Sequence, residues 1–259
     1  MSPHTATRPL SRFRRLLPAL LAAASLSPHL RAGDGDLLLE ANTAFASRYV
    51  YRGVERSAEN WQFAVEGENA GWRGRMSAVQ NFDTDATAEI QSSLGYVWLI
   101  GKKWALTARG THFWYVDAPV EGAPSHSFEA SVEFSRNLSG RWRPALELAY
   151  DIRFRSRAAE MSLTRTFSPT AWNTSLELRA YGGYVFGEDI LPDATGPGTR
   201  DGYAYFGTSA RLCYHLAAHW DARFGFSMAQ TINQSSAWSP LGGRSGARGW
   251  FSIGIGCYF

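Results

Sequence analysis

The chain has six histidines, the residue type best suited to general-base catalysis. A histidine can act in this way only if a nucleophile such as serine lies beside it. On a strand, a base and its nucleophile must share a face, so adjacent residues cannot act together. None of the six is followed two residues later by serine, and no Asp-x-His element exists. His126 and Ser127 are adjacent, which places their side chains on opposite faces of any strand. We predict no catalytic residue and no enzymatic activity.

Acidic and sulfur-containing residues offer no better site. Asp83 and Asp85 lie in a polar stretch, where carboxylates are usually solvated. Cys213 and Cys257 fall on opposite faces of their strands by parity, which argues against a disulfide between them. We predict no bound metal and no cofactor.

Charged residues instead alternate with apolar ones in long runs. Between Trp142 and Phe154, every second residue is apolar, and the positions between them include Arg143, Glu147 and Arg153. The same alternation recurs in 172–186 and 220–228. A period of two is that of a strand with one apolar and one polar face. Counting such segments gives about twelve strands, predicted at 37–52, 61–68, 72–80, 88–99, 104–115, 127–136, 142–154, 159–167, 172–186, 203–216, 220–231 and 249–259.

Tryptophans mark one end of this sheet. Each of five opens a strand that follows a short turn, on the apolar face: Trp72, Trp104, Trp142, Trp172 and Trp220. Core aromatics of a soluble protein have no reason to align at one height, whereas a membrane–water interface selects such a girdle. Strands in hydrocarbon must also leave no unpaired edge. The sequence therefore predicts an all-β fold, a closed antiparallel transmembrane β-barrel of about twelve strands.

Connection lengths and the C-terminus predict the orientation and the membrane. Short turns alternate with longer loops, as in barrels with periplasmic turns and extracellular loops. The chain ends in a strand that stops on Phe259, which resembles the assembly signal of bacterial outer-membrane barrels. We expect a location in the outer membrane of a Gram-negative bacterium. The expected partners are outer-membrane lipid and lipopolysaccharide, and the barrel-assembly machinery, which would bind the last strand.

The first residues read as an export signal. Residues 1–32 hold five arginines and no acid, with a short Leu- and Ala-rich run at 16–26. That run is too short to span a membrane, so a secretory signal peptide is predicted, cleaved between 24 and 32, with the barrel at 33–259. Without 1–32 the chain carries 21 basic and 23 acidic groups, a net charge of −2. No nucleic-acid partner is expected.

The stretch Arg48 to Ser57, read RYVYRGVERS, falls at the end of the first predicted strand. Parity in that strand predicts that Tyr49 and Tyr51 face lipid while Arg48 and Arg52 face the lumen. The segment 45–54 is similar to the Ser-x-Tyr-Val-Phe-Arg-Gly-Ile stretch of the TorF-type porins. That resemblance implies a barrel and a pore, although Arg56 stands where a polar uncharged residue is expected.

The predicted function is a narrow passive diffusion channel for small hydrophilic solutes. A structural or adhesive barrel without an open pore is the alternative, and an outer-membrane hydrolase is a third. Charge alternates in sign between neighbouring strands, so weak ion selectivity and a small conductance are expected. The expected cross-strand ion pairs join Glu66 and Glu68 to Arg73 and Arg75, and Arg109 to Glu89 and Glu129. The pore-lining residues predicted by parity are Arg48, Arg52, Glu66, Arg75, Glu89, Arg109, Glu129, Glu133, Arg143, Glu147, Arg153, Glu177, Arg179, Arg211 and Arg223.

Overall fold

A computed structural model shows an all-β chain. It describes residues 37–82, 88–116, 125–137, 141–169, 173–188, 200–232 and 246–259. The predicted signal peptide lies outside these residues, as do Asp83, Asp85 and Trp172. No helix in the described part of the chain is both long and apolar enough to cross a membrane.

Twelve strands form one closed antiparallel barrel. They are β1 (Leu38–Ala46), β4 (Asn60–Asn69), β5 (Trp72–Asn81), β6 (Ala88–Ile100), β7 (Trp104–Val116), β8 (His126–Arg136), β9 (Trp142–Asp151), β10 (Ser156–Phe167), β11 (Thr174–Glu188), β12 (Arg200–Ala217), β13 (Trp220–Ile232) and β14 (Arg248–Tyr258). Consecutive barrel strands pair with each other, and β1 closes the sheet by pairing with β14. Every strand thus has two neighbours, and the predicted fold class is confirmed.

Two of the predicted strands end earlier than expected. The first stops at Ala46 rather than at residue 52, and the seventh stops at Asp151 rather than at 154. Asp151 Oδ1 accepts hydrogen bonds from the backbone N–H groups of Arg153 (3.0 Å) and Phe154 (2.8 Å), which closes the turn to β10. Arg153 therefore lies exposed in this turn and not on a lumen-facing strand position.

The two ends of the barrel differ. Short connections such as 70–71 and 101–103 lie at one end, called here the short-turn end; 47–59, which joins β1 to β4, lies at the other, the long-loop end. Trp72, Trp104 and Trp142 each begin a strand at the short-turn end, and so does Trp220. The predicted girdle is confirmed at these four described positions.

The outer face is apolar. Large side chains such as Leu94, Leu148 and Phe226 are about half exposed, as expected of a surface covered by lipid. Two arginines near the short-turn margin of this face, Arg136 and Arg165, stack on aromatic rings: their guanidinium groups are 4.7 Å from the Trp104 centroid and 4.8 Å from the Trp142 centroid. The buried apolar cluster lies inside the barrel, and one of its members, Val54, belongs to none of the twelve barrel strands.

Candidate functional site

A small hairpin occupies the lumen at the long-loop end. It consists of β2 (Tyr49–Tyr51) and β3 (Val54–Ser57), which pair only with each other. The intervening Arg52 and Gly53 have φ values of +47° and +77°, the left-handed pair that a two-residue hairpin turn requires. The prediction that Tyr49 and Tyr51 face lipid is therefore wrong. A barrel strand and a lumen hairpin share the same alternation, so the pattern alone did not separate them.

The tip of the hairpin is bound to β8. Arg52 donates two hydrogen bonds to the carboxylate of Glu129, at 2.6 and 3.0 Å, and the Tyr51 hydroxyl donates to the same carboxylate at 3.3 Å. Such a bidentate guanidinium–carboxylate pair is among the stronger polar contacts in proteins. The Tyr51 ring packs edge-on against Phe113 of β7. Glu129 is only 5% exposed, so the hairpin shields it from the water of the lumen.

The base of the hairpin is bound to β6. The Tyr49 hydroxyl donates to Glu89 Oε1 at 2.8 Å, and an Arg56 guanidinium nitrogen lies 3.8 Å from Glu89 Oε2. Gln91 also donates to both Tyr49 and Glu89. Glu89 is 4% exposed. Two wall carboxylates, Glu89 and Glu129, therefore each bind an arginine and a tyrosine of the hairpin. We call each carboxylate, together with the arginine and the tyrosine that it binds, a clasp.

The opposite side of the hairpin packs on the far wall. Val54 belongs to a buried cluster contributed by four consecutive strands, β9 to β12: Ala149, Ala158, Val185, Tyr203 and Tyr205. On β14, Arg248 Nε lies 2.9 Å from Glu55 Oε2, and Arg48 binds the same carboxylate oxygen. Contacts thus run from β6 around the wall to β14. The hairpin therefore spans the lumen at this level.

Burial fixes the charge state of the hairpin. Burial raises the pKa of Tyr49 well above its ordinary value, and the neighbouring Glu89 carboxylate raises it further. Burial likewise raises the pKa of Tyr51. Both phenols are therefore neutral donors at physiological pH. Burial alone would lower the pKa of Arg52, but the Tyr51 and Glu129 oxygens outweigh it, so the group stays a cation.

The short-turn half of the lumen is lined by exposed charged side chains. Here the predicted pairing of neighbouring strands is confirmed, because Arg73 binds Glu68 and Arg75 binds Glu66. The two arginine side chains are 54% and 52% exposed, in contrast to the clasps. Two further pairs line this wall, Arg179 with Glu160 and Arg223 with Glu40. A polar vestibule therefore opens toward the short turns.

One predicted ion-pair partner is wrong. Arg109 was expected to pair with Glu89 and Glu129 on the strands beside it, but it binds Glu147 at 3.1 Å, two strands away. Glu89 and Glu129 are occupied by the hairpin. The residue beside Arg109 on β8 is Ser131, whose short side chain leaves the arginine free to reach β9.

The remaining predicted residues have been placed as follows. Arg48 and Arg52 lie in the lumen, but on the hairpin rather than on the wall. Glu133 and Arg143 occupy inner-face positions of β8 and β9, and Glu177 on β11 is in register with Arg211 on β12. That these residues line a conducting pore stays a prediction.

Sequence reasoning missed one side-chain cluster at the short-turn end. His215 Nδ1 lies 2.6 Å from Asp221 Oδ1, and the Tyr258 hydroxyl donates to Asp221 Oδ2 at 2.7 Å. Parity across the turn between β12 and β13 would have revealed the first pair. Among the described residues, no group of three or more His, Cys, Asp or Glu side chains is arranged to hold a metal ion.

Comparison with solved structures identifies the architecture. The chain is similar to the NanC porin, with a TM-score of 0.53 and 10% identity, over 84% of this chain and 98% of that one. It is also similar to LpxR from Salmonella typhimurium, with a TM-score of 0.51 and 7% identity, over 85% of this chain and 100% of that one. The chain is a barrel of the Gram-negative outer-membrane type.

These likenesses show the fold alone. No family model matches the chain, and no curated protein sequence matches it. The resemblance to TorF-type porins therefore stays an expectation. Since one of the two similar structures is named a porin and the other is not, the fold does not decide between a channel and another activity.

Proposed function

We propose that this barrel is a porin-like outer-membrane channel for small hydrophilic solutes, with hairpin 48–57 as its constriction. The observation that carries the proposal is the contrast between the two halves of the lumen. Arg73 and Arg75 form water-exposed ion pairs in one half, whereas Glu89 and Glu129 are almost fully buried against the hairpin in the other. A barrel that only needs a stable wall has no use for a hydrated vestibule leading to a polar constriction.

The walls of the vestibule support weak ion selectivity. Arginine and glutamate side chains occur there as pairs, so much of the local charge is neutralised. A barrel of twelve strands has a backbone diameter of about 24 Å at a strand tilt of about 40°. Side chains from the two walls leave about half of that width, and the hairpin occupies much of the remainder. The solutes that fit are small and hydrated.

A structural barrel without an open pore is the second candidate. Its support is the Val54 cluster, which packs apolar groups across the space that a pore would need. The two candidates differ in a single measurable quantity. A structural barrel conducts no ions at any voltage that the bilayer tolerates, whereas a constricted channel gives small, discrete steps.

The test is the conductance of the purified full-length barrel in a planar bilayer. We expect small steps with a reversal potential near zero in a KCl gradient, because the charges of the vestibule are paired. A heat-modifiable band on a gel confirms that the same sample is folded. Folded protein that gives no conductance contradicts the proposal and favours the structural barrel.

The proposed partners are those of an outer-membrane channel. Lipid and lipopolysaccharide would cover the apolar outer face, and the barrel-assembly machinery would bind β14. The seam supports the latter proposal, because β14 pairs with β1 there to close the barrel, and the Phe259 backbone N–H donates to Leu39 O at 2.9 Å beside it. Truncation of Phe259 is expected to slow assembly in cells while leaving the folded barrel stable.

A further inference from the structure

The hairpin is attached to the barrel in an unusual way. β2 and β3 form a separate two-stranded sheet, so their ladder bonds are shared with each other and not with any barrel strand. Among the described residues, the hairpin is held to the wall at β6, β8 and β14 by side-chain contacts. Removing the hairpin from the lumen would therefore break no bond of the barrel ladder.

The two ends of the segment are fixed independently of the docked hairpin. The backbone N–H of Ser47 donates to Phe251 O at 2.9 Å, which continues the β1–β14 pairing. Asn60, which is fully buried, donates to Ala58 O at 2.7 Å as β4 begins. The part between these points has its own turn and its own ladder. Its turn and its ladder therefore do not depend on bonds to the barrel wall.

The polar contacts that hold the hairpin can be exchanged for contacts with water. The clasps join buried carboxylates to arginines, and the attraction within such a pair is largely offset by the desolvation of its two charges. When the hairpin leaves, Glu89, Glu129 and the two arginines regain water on both sides. The apolar contacts of the hairpin come from Val54, which joins the buried cluster of β9 to β12, and from the ring of Tyr51 against Phe113.

From this arrangement we propose that hairpin 48–57 is a tethered plug, which keeps the channel in a constricted state of small conductance, called closed here, while the clasps hold it, and which opens the channel fully by leaving the lumen as a unit. The inference rests on the proposed function, because it concerns the gate of that same channel. Glu89 and Glu129 are its latch residues. Their loss frees the hairpin without altering the barrel wall.

The test compares two matched pairs of neutral substitutions in planar bilayers. The double variant Glu89→Gln/Glu129→Gln removes both clasp charges, whereas Glu66→Gln/Glu68→Gln removes the same number of charges from vestibule pairs that do not touch the hairpin. Each charge-assisted hydrogen bond lost should shift the ratio of open to closed channels by about tenfold. We expect the clasp variant to be open far more often. The vestibule variant should keep the wild-type open probability, while the loss of two carboxylates shifts its selectivity toward anions. Equal open probability in all three overturns the proposal.

A disulfide that fixes the hairpin to β12 tests the same motion by preventing it. A β-carbon on Gly53 would stand 2.6 Å from Tyr205 Cβ. A disulfide needs about 3.5–4.5 Å between its β-carbons, so the turn of a Gly53→Cys/Tyr205→Cys variant must withdraw by about 1 Å for the two sulfurs to bond. In a background with Cys213→Ser and Cys257→Ser, the oxidised pair should keep the channel closed even when both clasps are neutral, and reduction should reopen it. Conductance that ignores oxidation overturns the plug.

A variant with residues 49–57 replaced by a short Gly-Ser linker distinguishes a failure of the proposed channel function from a failure of the latch. Suppose that the linker variant folds and has a high conductance, while the conductance of the clasp variant stays at the wild-type level. The proposed channel is then supported, and the latch role of Glu89 and Glu129 is overturned. If the linker variant folds and conducts nothing, the proposed function fails, and the plug fails with it. Folding is read from heat-modifiable migration in every case.

Discussion

Gly53 at the tip of the hairpin lies directly against Tyr205 of β12. A β-carbon built on this glycine would stand 2.6 Å from Tyr205 Cβ and 3.0 Å from Thr231 Cγ2. The glycine is thus required twice, once for its positive φ and once for this close approach. The hairpin can therefore pack against the barrel wall in this position only if residue 53 has no side chain.

Gly53→Ala should unseat the hairpin. The methyl group has no room against Tyr205, so the turn must withdraw, and channel conductance should rise. Gly101→Ala is the matched control, because Gly101 also has a positive φ (+65°) but has no atom within 4 Å of a built β-carbon. Both variants bear similar backbone strain, so an equal effect on conductance would show that strain and not the Tyr205 contact is responsible.

Alkaline pH should open the channel. The phenols of Tyr49 and Tyr51 have raised pKa values in the docked hairpin, so docking favours their neutral forms. This preference is fully present below about pH 10, the value of a free tyrosine, and is lost as the pH rises above it. Open probability should therefore increase from pH 8 to pH 11. Tyr49→Phe/Tyr51→Phe removes these two ionisations, and an unchanged pH response in that variant would contradict the assignment.

Arg109→Ala should make the channel cation-selective. The substitution leaves Glu147 without its partner, and the residue in register with Glu147 on β8 is Glu133, a second carboxylate. The reversal potential in a KCl gradient should shift toward the potassium potential. Glu147→Gln/Arg109→Ala, which removes both charges, should restore the wild-type value; a shift that persists in this pair would exclude the ion pair as its cause.

Arginine on the outer face should destabilise the barrel according to depth. Leu148 lies in the middle of β9 and is more than half exposed, so Leu148→Arg should lower the free energy of unfolding by about 2–4 kcal/mol. Trp142→Arg, at the short-turn interface of the same strand, should cost clearly less. Urea titration in detergent or lipid measures both. Equal losses would mean that the membrane does not lie where the tryptophan girdle places it.

Much of the barrel follows from the sequence because its strands are governed by a local rule. In a strand between lipid and water, apolar and polar side chains must alternate. The apolar side chains of Trp142, Leu146 and Leu148 show this alternation in β9, whatever the rest of the fold. Turn residues and tryptophans then set the strand ends. The ion pairs of Glu66 and Glu68 could also be predicted from the sequence, because their partners lie on the next strand across a short turn.

The hairpin was not predicted because its partners are distant in the sequence. Tyr49 and Arg52 continue the alternation of β1, and nothing local shows that the chain turns inward at Ser47. The decisive contact joins Arg52 to Glu129, 77 residues away. The Arg52–Gly53 pair was the one available signal, because glycine after a run of alternating residues is typical of a hairpin turn as well as of a loop.

Replacing hairpin residues 49–57 by the short Gly-Ser linker and comparing single-channel conductance with the wild type tests the central claim most directly. If the hairpin is the constriction, the linker variant should conduct several-fold more than the wild type and should admit larger uncharged polymers, while its heat-modifiable migration is unchanged. Equal conductance and an equal polymer cut-off in the two folded barrels would show that the hairpin does not limit the pore, and would contradict the account.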